Sequence, residues 1–235
     1  MQQVQALLFD VFGTVVDWRS GVIRDVTAVA GRAGVSLDAA RFADQWRAGY
    51  RPAMDLVRSG QLPWTKLDGL HRRVLDGLVG EFGLAGLPAA ELDWLNTCWH
   101  RLDPWPDAVP GLARLRQRYV LAAFSNGNVA LLVNMAKRAG LPWDAILSAE
   151  LFRRYKPDPQ TYLGAVELLS LDPARVMLVA AHNDDLSAAA DLGLATAFLP
   201  RPAEHGPGQQ ANLAPTREYT VVATDLTDLA TQLGT

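Results

Sequence analysis

Short apolar segments rich in β-branched residues recur along the chain, separated by stretches of helical periodicity. Each except the last is followed by turn or capping residues and then by a helix-like stretch, the order typical of a doubly wound parallel sheet. The helix-like stretches Val129–Ala139 and Asp184–Leu192 are followed by Gly140 and Gly193, and glycine commonly ends a helix. The pattern therefore predicts an α/β fold with a Rossmann-like sheet. The predicted strands are Val4–Asp10, Tyr119–Phe124, Ala145–Ser148, Val176–Ala181, Ala195–Leu199 and a weaker Tyr219–Ala223.

The region between Trp18 and about Leu102 contains no convincing strand. It is too long for a crossover, so we predict an all-helical cap domain, residues 18–101, inserted into a core of residues 1–17 and 102–235. Pro104-Trp105-Pro106 is predicted to be a stiff linker back into the core, and the Gly/Pro-rich residues 200–215 a loop. The segments with helical spacing, punctuated by Gly and Pro, are Gly21–Ala33, Leu37–Ser59, Thr65–Phe82 and Ala89–Arg101.

The composition and charge are those of an ordinary globular protein. Of the 235 residues 49% are hydrophobic and 20% charged, and the net charge of -3 disfavours nucleic acid or an anionic membrane as the main partner. Cys98 is the only cysteine, so no internal disulfide can form and a reducing cytoplasm fits. Met1–Gln5 lacks the pattern of a signal peptide, and no apolar run approaches the ~18 residues of a membrane span. We therefore expect a cytoplasmic protein.

Polar residues cluster in four places, each at the end of a predicted strand or shortly after it. Asp10 ends the first strand, and the other three groups are Ser125–Asn128, Arg154–Asp158 with Tyr162 beyond it, and His182–Asp185. Because the carboxyl ends of parallel strands meet at one edge of a sheet, these groups are expected to share a ligand-binding crevice. Asp10, a lone carboxylate at the end of a buried strand, is a candidate nucleophile.

Three of these groups also have simpler structural explanations when they are taken singly. Ser125-Asn126 could cap a helix, and His182-Asn183 could be a cap beside a buried histidine. Lys156, before Pro157, could be a solvated loop charge. Their common position above one sheet favours a functional site.

The order and content of the four groups resemble the haloacid dehalogenase-like hydrolases over essentially the whole predicted core. Phosphatases of that superfamily carry Asp-x-Asp-Gly-Thr, whose second Asp protonates the leaving group; here its place is taken by Phe12, which cannot carry a proton. The chain is instead similar to the L-2-haloacid dehalogenase (type II) group, including a Trp-Arg pair at Trp46-Arg47 in the predicted cap. The other stretches that carry this similarity are Phe9–Thr14, Phe124–Asn128 and Tyr155–Asp158 followed by Tyr162.

The resemblance implies covalent catalysis without a cofactor or a metal. Asp10 would attack the α-carbon of a short (S)-2-haloacid with inversion, and water would then hydrolyse the ester to a 2-hydroxy acid. Lys156 would keep Asp10 ionised and pair with Asp185. The residues implied at the substrate are Ser125 for its carboxylate, Arg47 and Asn126 for the departing halide, and Phe12 and Tyr162 as lining.

The last polar group departs from the dehalogenase pattern. Ala180 replaces a serine that positions water in the group, so His182 or Asn183 is predicted to take over that task, with imidazole as a base near neutral pH. Asp184 replaces an aromatic residue that packs against the halide, and we expect this carboxylate to be turned away or paired. Ala181 stands where phosphatases carry a magnesium-binding carboxylate, which with Phe12 disfavours metal chemistry on phosphate.

Three hypotheses remain, and a hydrolase of carbon–halogen bonds in 2-haloacids is favoured. The alternative is another hydrolase of the same superfamily, acting weakly on phosphates or opening a strained cyclic amino acid whose cationic nitrogen Asp184 could hold. A catalytically idle binding protein is least favoured, because Asp10, Lys156 and Asp185 are all present. Dimers are usual in the resembling family, and the apolar, Trp-bearing cap helices are compatible with a homodimer.

Overall fold

The computed structural model describes residues 4–235, so the first three residues of the N-terminal stretch considered above lie outside this description. The strands are β1 (Ala6–Phe9), β2 (Val16–Asp17), β3 (Asp103–Pro104), β4 (Val120–Ser125), β5 (Ala145–Ser148), β6 (Val176–Ala180), β7 (Ala195–Phe198) and β8 (Val221–Val222). Six of them form one parallel sheet in the order β5-β4-β1-β6-β7-β8, which confirms the predicted fold class.

The central strand β1 is buried on both of its faces. Leu7 and Phe9 belong to the larger apolar cluster of the protein, whereas Ala6 and Leu8 belong to a second cluster on the other face. This alternation follows from the two-residue period of a strand, and burial on both faces is what parallel sheets covered by helices require. Asp10 directly follows β1, so the strand delivers its carboxylate to the edge of the sheet.

The helices are α1 (Trp18–Ala33), α2 (Ala39–Ala48), α3 (Tyr50–Arg58), α4 (Leu67–Leu78), α5 (Ala89–Asn96), α6 (Ala108–Leu115), α7 (Val129–Ala139), α8 (Ala149–Phe152), α9 (Pro159–Leu168), α10 (Asn183–Asp191) and α11 (Leu226–Gln232). The first five lie between β2 and β3 and form the helical cap. The segment predicted as one helix over 37–59 is broken between α2 and α3 at Gly49. A Cβ atom at Gly49 would lie 2.4 Å from Cγ1 of Val74, so the close approach of α4 requires a glycine there.

A short pair of strands lies where the cap leaves and rejoins the core. Asp103 and Pro104 pair in antiparallel fashion with Asp17 and Val16. The predicted stiff linker at 104–106 therefore begins inside a strand. The pair of strands joins the two segments through which the chain enters and leaves the cap. The domain boundaries predicted at 17/18 and 101/102 fall at this pair and stay a prediction.

Polar contacts fasten the cap to the edge of the sheet that carries Asp10. The side chain of Asn128, at the start of α7, donates to the Asp68 carboxylate at 2.9 Å and accepts from the Asp68 backbone N–H at 3.2 Å. Lys66 pairs with Glu150 at 2.5 Å, and Tyr155 donates to the backbone carbonyl of Thr65 at 2.6 Å. These contacts hold the cap helices over the four polar groups.

The residues between β7 and β8 form the loop that the sequence predicts for 200–215. They contain turns and bends without a helix or strand. The loop is anchored at Arg201, whose guanidinium binds both carboxylate oxygens of Asp107 at 2.7 Å and donates to the carbonyl of Thr14. Within residues 4–235, none of the helices is long and apolar enough to cross a membrane.

Candidate active site

A cavity of about 550 Å³ opens between the cap and the carboxyl edge of the sheet. The core contributes most of the polar residues that the sequence singled out, and the cap contributes Trp18 at the start of α1 together with residues of α2 and α3. Of the ten predicted site residues, the cavity wall holds Asp10, Phe12, Arg47, Asn126, Lys156, Tyr162, His182 and Asp185. Further residues of the wall are Trp18, Tyr50, Arg51, Met54, Arg58, Asp184, His205 and Asn212.

Both carboxylate oxygens of Asp10 accept hydrogen bonds. Oδ1 accepts from Lys156 Nζ at 3.0 Å, and Oδ2 accepts from the Thr14 hydroxyl at 2.7 Å and lies 3.0 Å from His182 Nδ1. Burial acts to raise the pKa of Asp10, but Lys156 and His182 lower it more strongly, so the pKa lies well below its usual range. Asp10 is therefore ionised at neutral pH, as a nucleophile must be.

Lys156 lies between two carboxylates at the floor of the cavity. Besides Asp10, its ammonium donates to Asp185 Oδ2 at 2.5 Å and to the carbonyl of Phe124 at 3.3 Å. Burial lowers the pKa of Lys156, but the two carboxylates raise it above its ordinary value, so the ammonium stays charged. Tyr162 donates to the other oxygen of Asp185, and these contacts fix the Lys156 ammonium beside Asp10.

His182 bridges two carboxylates. Its Nδ1 faces Asp10, and its Nε2 lies 3.0 and 3.1 Å from the two oxygens of Glu204. Burial lowers the pKa of His182, but Glu204 and Asp10 together raise it to about 10. The imidazole is therefore protonated near neutral pH in the resting protein, and the water-positioning role predicted for His182 stays a prediction.

Arg47 reaches the cavity from α2 with an unused donor. Its Nη1 is buried and has no hydrogen-bond partner among the described residues. The guanidinium lies over the rings of Trp18 and Tyr50, at 5.4 and 4.4 Å from their centroids. A cation with a buried donor whose hydrogen bond is unfilled is suited to bind an anion. The buried ring of Phe12, which lines the same cavity, has no proton to give.

The loop after β4 presents Asn126 rather than Ser125 to the cavity. The side-chain oxygen of Asn126 accepts from the Lys156 backbone N–H at 2.8 Å, and the side chain of Asn126 also contacts that of Tyr50 on the cavity wall. Ser125 is buried at the end of β4, and its hydroxyl oxygen accepts from the Gly127 N–H at 3.1 Å. The contact of Ser125 shapes the loop, and its predicted binding of a substrate carboxylate stays a prediction.

Asn183 does not belong to the cavity wall. Its amide donates to Asn212 Oδ1 and to the Ala214 carbonyl, and its oxygen accepts from the Thr216 N–H and the Tyr219 hydroxyl. All four bonds go to the C-terminal part of the chain. They favour an anchoring role for Asn183 over the water-positioning role predicted for it, because no donor or acceptor of its amide is left for water.

Asp184 is paired with an arginine of the cap, in line with the expectation that it would be turned away or paired. Its Oδ2 lies 2.5 Å from Arg51 Nη2 on α3, and its Oδ1 accepts from the Asp185 backbone N–H. The partner is thus Arg51, which the sequence did not single out. Both side chains lie at the mouth of the cavity, with 61% and 67% of their surface exposed.

Glu204 is the main site residue that sequence reasoning missed. It comes from the loop after β7, is buried, and accepts from Trp18 Nε1 at 3.1 Å as well as facing His182. At Gly13, φ is +85°, and a Cβ atom there would lie 2.1 Å from Glu204 Oε1. The glycine thus leaves room for the carboxylate. No local pattern marks Glu204, since its loop reads only as Gly/Pro-rich.

Two side chains that carry positive charge contact Asp10, so its carboxylate does not need a metal ion to balance its charge. Lys156 and His182 already face both oxygens of Asp10. Across residues 4–235, no three His, Cys, Asp or Glu side chains are grouped as a metal site would require. The donor set at Asp10 therefore fits charge compensation by side chains.

Comparisons with known proteins find similar proteins along most of the chain. The sequence profile of the haloacid dehalogenase-like hydrolases matches residues 4–193. The (S)-2-haloacid dehalogenase of Xanthobacter autotrophicus is 30% identical over 200 residues, which are 84% of this chain and 76% of that protein. The crystal structure of L-2-haloacid dehalogenase PA0810 is 54% identical with a TM-score of 0.95, covering 98% of both chains. That of the defluorinating L-2-haloacid dehalogenase Rha0230 is 51% identical with a TM-score of 0.96, covering 99% of this chain and 96% of that one.

Proposed function

The chain belongs to the haloacid dehalogenase-like hydrolases, and from that membership we propose that it hydrolyses the carbon–halide bond of short (S)-2-haloacids through an ester on Asp10. The single observation that carries the proposal is the pairing of groups in one cavity. An ionised Asp10 and a half-buried Arg47, whose buried Nη1 has no partner among the described residues, line the same space, while Phe12 takes the place of a proton donor. Relatives named haloacid dehalogenases, 30% to 54% identical, support it.

The first step needs a nucleophile and an anion site but no acid. A carboxylate oxygen of Asp10 attacks the α-carbon, and the halide departs with the electron pair of the carbon–halide bond. Because a halide ion is stable without protonation, the phenyl ring of Phe12 costs this reaction nothing. A phosphate ester would instead require a proton at its leaving oxygen, and Phe12 cannot supply one.

The departing halide is proposed to lie against Arg47 and Asn126. Both line the cavity, and the buried Nη1 of Arg47 makes no hydrogen bond among the described residues, while the side chain of Asn126 is held by the Lys156 backbone and by Tyr50. Donors that are already in place where negative charge develops lower the barrier without reorganising. The rings of Trp18 and Tyr50 hold the guanidinium of Arg47 in position.

The second step is hydrolysis of the ester at the Asp10 carbonyl carbon. Lys156 is proposed to polarise that carbonyl, since its ammonium donates to Oδ1 of Asp10. Asp185 and Tyr162 act by holding Lys156 in place. The product is a 2-hydroxy acid of inverted configuration, and the Asp10 carboxylate is regenerated.

An assay of halide release tests the proposal. With (S)-2-chloropropionate we expect one chloride and one (R)-2-hydroxypropionate per turnover, and with the (R)-enantiomer a much slower reaction. The set of haloacids to be tested includes 2-fluoropropionate, because a 51% identical relative is named as defluorinating. The matched control is Asp10→Asn, which keeps the shape of the side chain and removes its charge. Release of phosphate from phosphate esters without any halide from the panel would overturn the proposal.

A further inference from the structure

The cavity is longer than a short haloacid requires. One face of α3 forms its side, since Tyr50, Met54 and Arg58 follow one another at i, i+4 and i+8 and all three line the wall. An α-helix rises about 1.5 Å per residue, so the row from Tyr50 to Arg58 covers about 12 Å. The carbon chain of a 2-halopropionate spans only about 2.5 Å between its end atoms. The cavity therefore continues well beyond the reacting carbon.

The row on α3 changes in character from one end to the other. Tyr50 lies beside the proposed halide position, because the guanidinium of Arg47 is 4.4 Å from its ring centroid and its side chain contacts that of Asn126. Met54, in the middle, is buried and apolar. Arg58 ends the row with a guanidinium group, and 28% of its side chain is exposed. An apolar stretch followed by a cation fits an acid whose carbon chain ends in a second anionic group.

The wall of the cavity carries a net positive charge at Arg58. Its Nη1 lies 2.6 Å from Asp55 Oδ1, but Asp55 does not line the cavity and 59% of its side chain is exposed. The pair of Arg51 and Asp184 differs in this respect, since both of its members line the wall and their charges cancel there. An ion pair with so exposed a carboxylate contributes little, so an anion that arrives from the cavity can bind the Arg58 guanidinium.

A second cleft extends the positive charge beyond Arg58. Arg58 and Pro157 line this cleft of about 530 Å³ as well as the active-site cavity. Arg153 and Arg154 also line it, and its single acid is Asp158, which lies 3.7 Å from Arg154. Three guanidinium groups around one carboxylate make the potential at this end of the cavity positive, which attracts a negatively charged group.

We propose that Arg58 binds a second carboxylate at the far end of the substrate, so that 2-haloalkanedioic acids are a substrate class of this enzyme. The inference rests on the proposed function, since it places the α-carbon at Asp10 and the halide at Arg47. The reaction is unchanged: Asp10 forms the ester, the halide leaves with the electron pair of its bond, and water hydrolyses the ester. The distal carboxylate takes no part in these steps, and the product is a 2-hydroxyalkanedioate.

Lys156 sets the length of chain that fits. Its ammonium donates to Asp10 at 3.0 Å, and its backbone carbonyl accepts from Arg58. Asp10 and the Arg58 guanidinium are therefore separated by about the length of one lysine residue. When the contact distances at both ends are subtracted, the substrate has room for about two or three methylene groups between its α-carbon and its distal carboxylate.

Chloride release from (S)-2-chlorohexanedioate tests the proposal, with its 6-methyl ester as the control that keeps the chain but not the distal charge. The wild type should turn over the diacid with a kcat/KM about tenfold higher, a difference of about 1.4 kcal/mol. The gain should appear in KM, because the distal contact is the same in the ground state and the transition state. Equal or lower efficiency for the diacid, beside a reaction with 2-chloropropionate, overturns the inference. Absence of chloride from all three compounds overturns the proposed function instead.

Variants of Arg58 and of its partner separate binding of the distal carboxylate from a structural role. Arg58→Gln should bring the ratio of diacid to ester close to one, Arg58→Lys should keep most of it, and Asp55→Asn should raise it by freeing the guanidinium. If Arg58 only holds the cap through the Lys156 carbonyl, Arg58→Gln lowers kcat/KM for both substrates alike and the ratio stays, which refutes the proposal. The matched control is Arg41→Gln, since Arg41 is also an exposed arginine paired with an acid, Glu81, but lies outside the cavity and should leave the ratio unchanged.

Discussion

Exchanging Arg51 for glutamine should slow halide release, and removing Asp184 as well should restore it. Arg51 and Asp184 face each other at 2.5 Å on the cavity wall. In the wild type the two charges cancel, so the departing halide meets no net repulsion from this side. Arg51→Gln leaves the carboxylate of Asp184 uncompensated beside an anion that gains charge as the bond breaks.

The size of the effect follows from how exposed the pair is. With about 60% of the Asp184 side chain open to water, its repulsion of a halide about 4 Å away lies near the aqueous limit of about 1 kcal/mol, rather than the about 4 kcal/mol expected at an effective dielectric constant of about 20. A barrier higher by about 1 kcal/mol slows the reaction about fivefold. Asp184→Asn alone removes a pair that is worth little at the surface, so haloacid turnover should change by less than about tenfold.

Single-turnover halide release by the wild type, the two single variants and the double variant is the measurement. The sign of the coupling decides the outcome: Arg51→Gln slows release about fivefold, and Arg51→Gln with Asp184→Asn returns close to wild type. If the double variant is as slow as Arg51→Gln, the arginine acts by itself and the charge masking is refuted. A variant Asp184→Asn that opens no cyclic amino acid and releases no halide, beside a wild type that opens the ring, would instead favour a cationic leaving group.

Three further predictions concern the nucleophile, the metal and the cap. Activity should be unchanged in EDTA, because Lys156 and His182 already compensate Asp10; a loss that magnesium restores would contradict this. Single turnover in heavy-oxygen water should place the label in the peptide that contains Asp10, whereas label only in the hydroxy acid would mean direct attack by water. The ring nitrogens of His71 are buried without a hydrogen-bond partner among residues 4–235, the ring stacks on Trp99 at 4.2 Å between centroids, and burial lowers the pKa of His71 from 6.5 to about 3. In the unfolded chain His71 therefore binds a proton below pH 6.5, whereas in the native cap it does not. The free energy of unfolding falls as the pH is lowered from 6.5 to about 3. Compared by urea unfolding, wild type should lose about 2 kcal/mol more than His71→Phe between pH 7.5 and pH 5.

The spacing of hydrophobic residues along the chain was sufficient to predict most strands of the sheet and the loops at its edge. A strand that is apolar on both faces and ends on Asp10 can be recognised because burial and the two-residue period are local properties of the sequence. The same holds for α7, where the predicted Val129–Ala139 agrees with the structure and Gly140 adopts the left-handed conformation at its end. The convergence of strand ends in a parallel sheet predicted that Asp10, Lys156 and Asp185 share one crevice, and the family resemblance implied their roles.

Contacts between distant segments could not be predicted in this way. Glu204 lies in a loop without periodicity, and only the folded chain shows that it faces His182. Asn183 adjoins His182 in sequence, yet the turn of α10 points its amide at residues 212–219 rather than at the cavity. The partner of Asp184 could not be predicted for the same reason, because Arg51 reaches it from a separate helix of the cap.

The tryptophans around Arg47 give the enzyme a built-in optical signal. Trp18 lines the cavity under the guanidinium and stacks at 6.2 Å on Trp99, which in turn meets Trp46 at 5.5 Å. Excitation absorbed by Trp46 and Trp99 can pass along this chain of rings to Trp18, which is beside the proposed halide position. Bromide and iodide quench indole emission on contact, whereas fluoride and chloride quench it far less. Bound bromide should therefore dim the intrinsic fluorescence, and the departure of bromide or iodide can be followed without a dye.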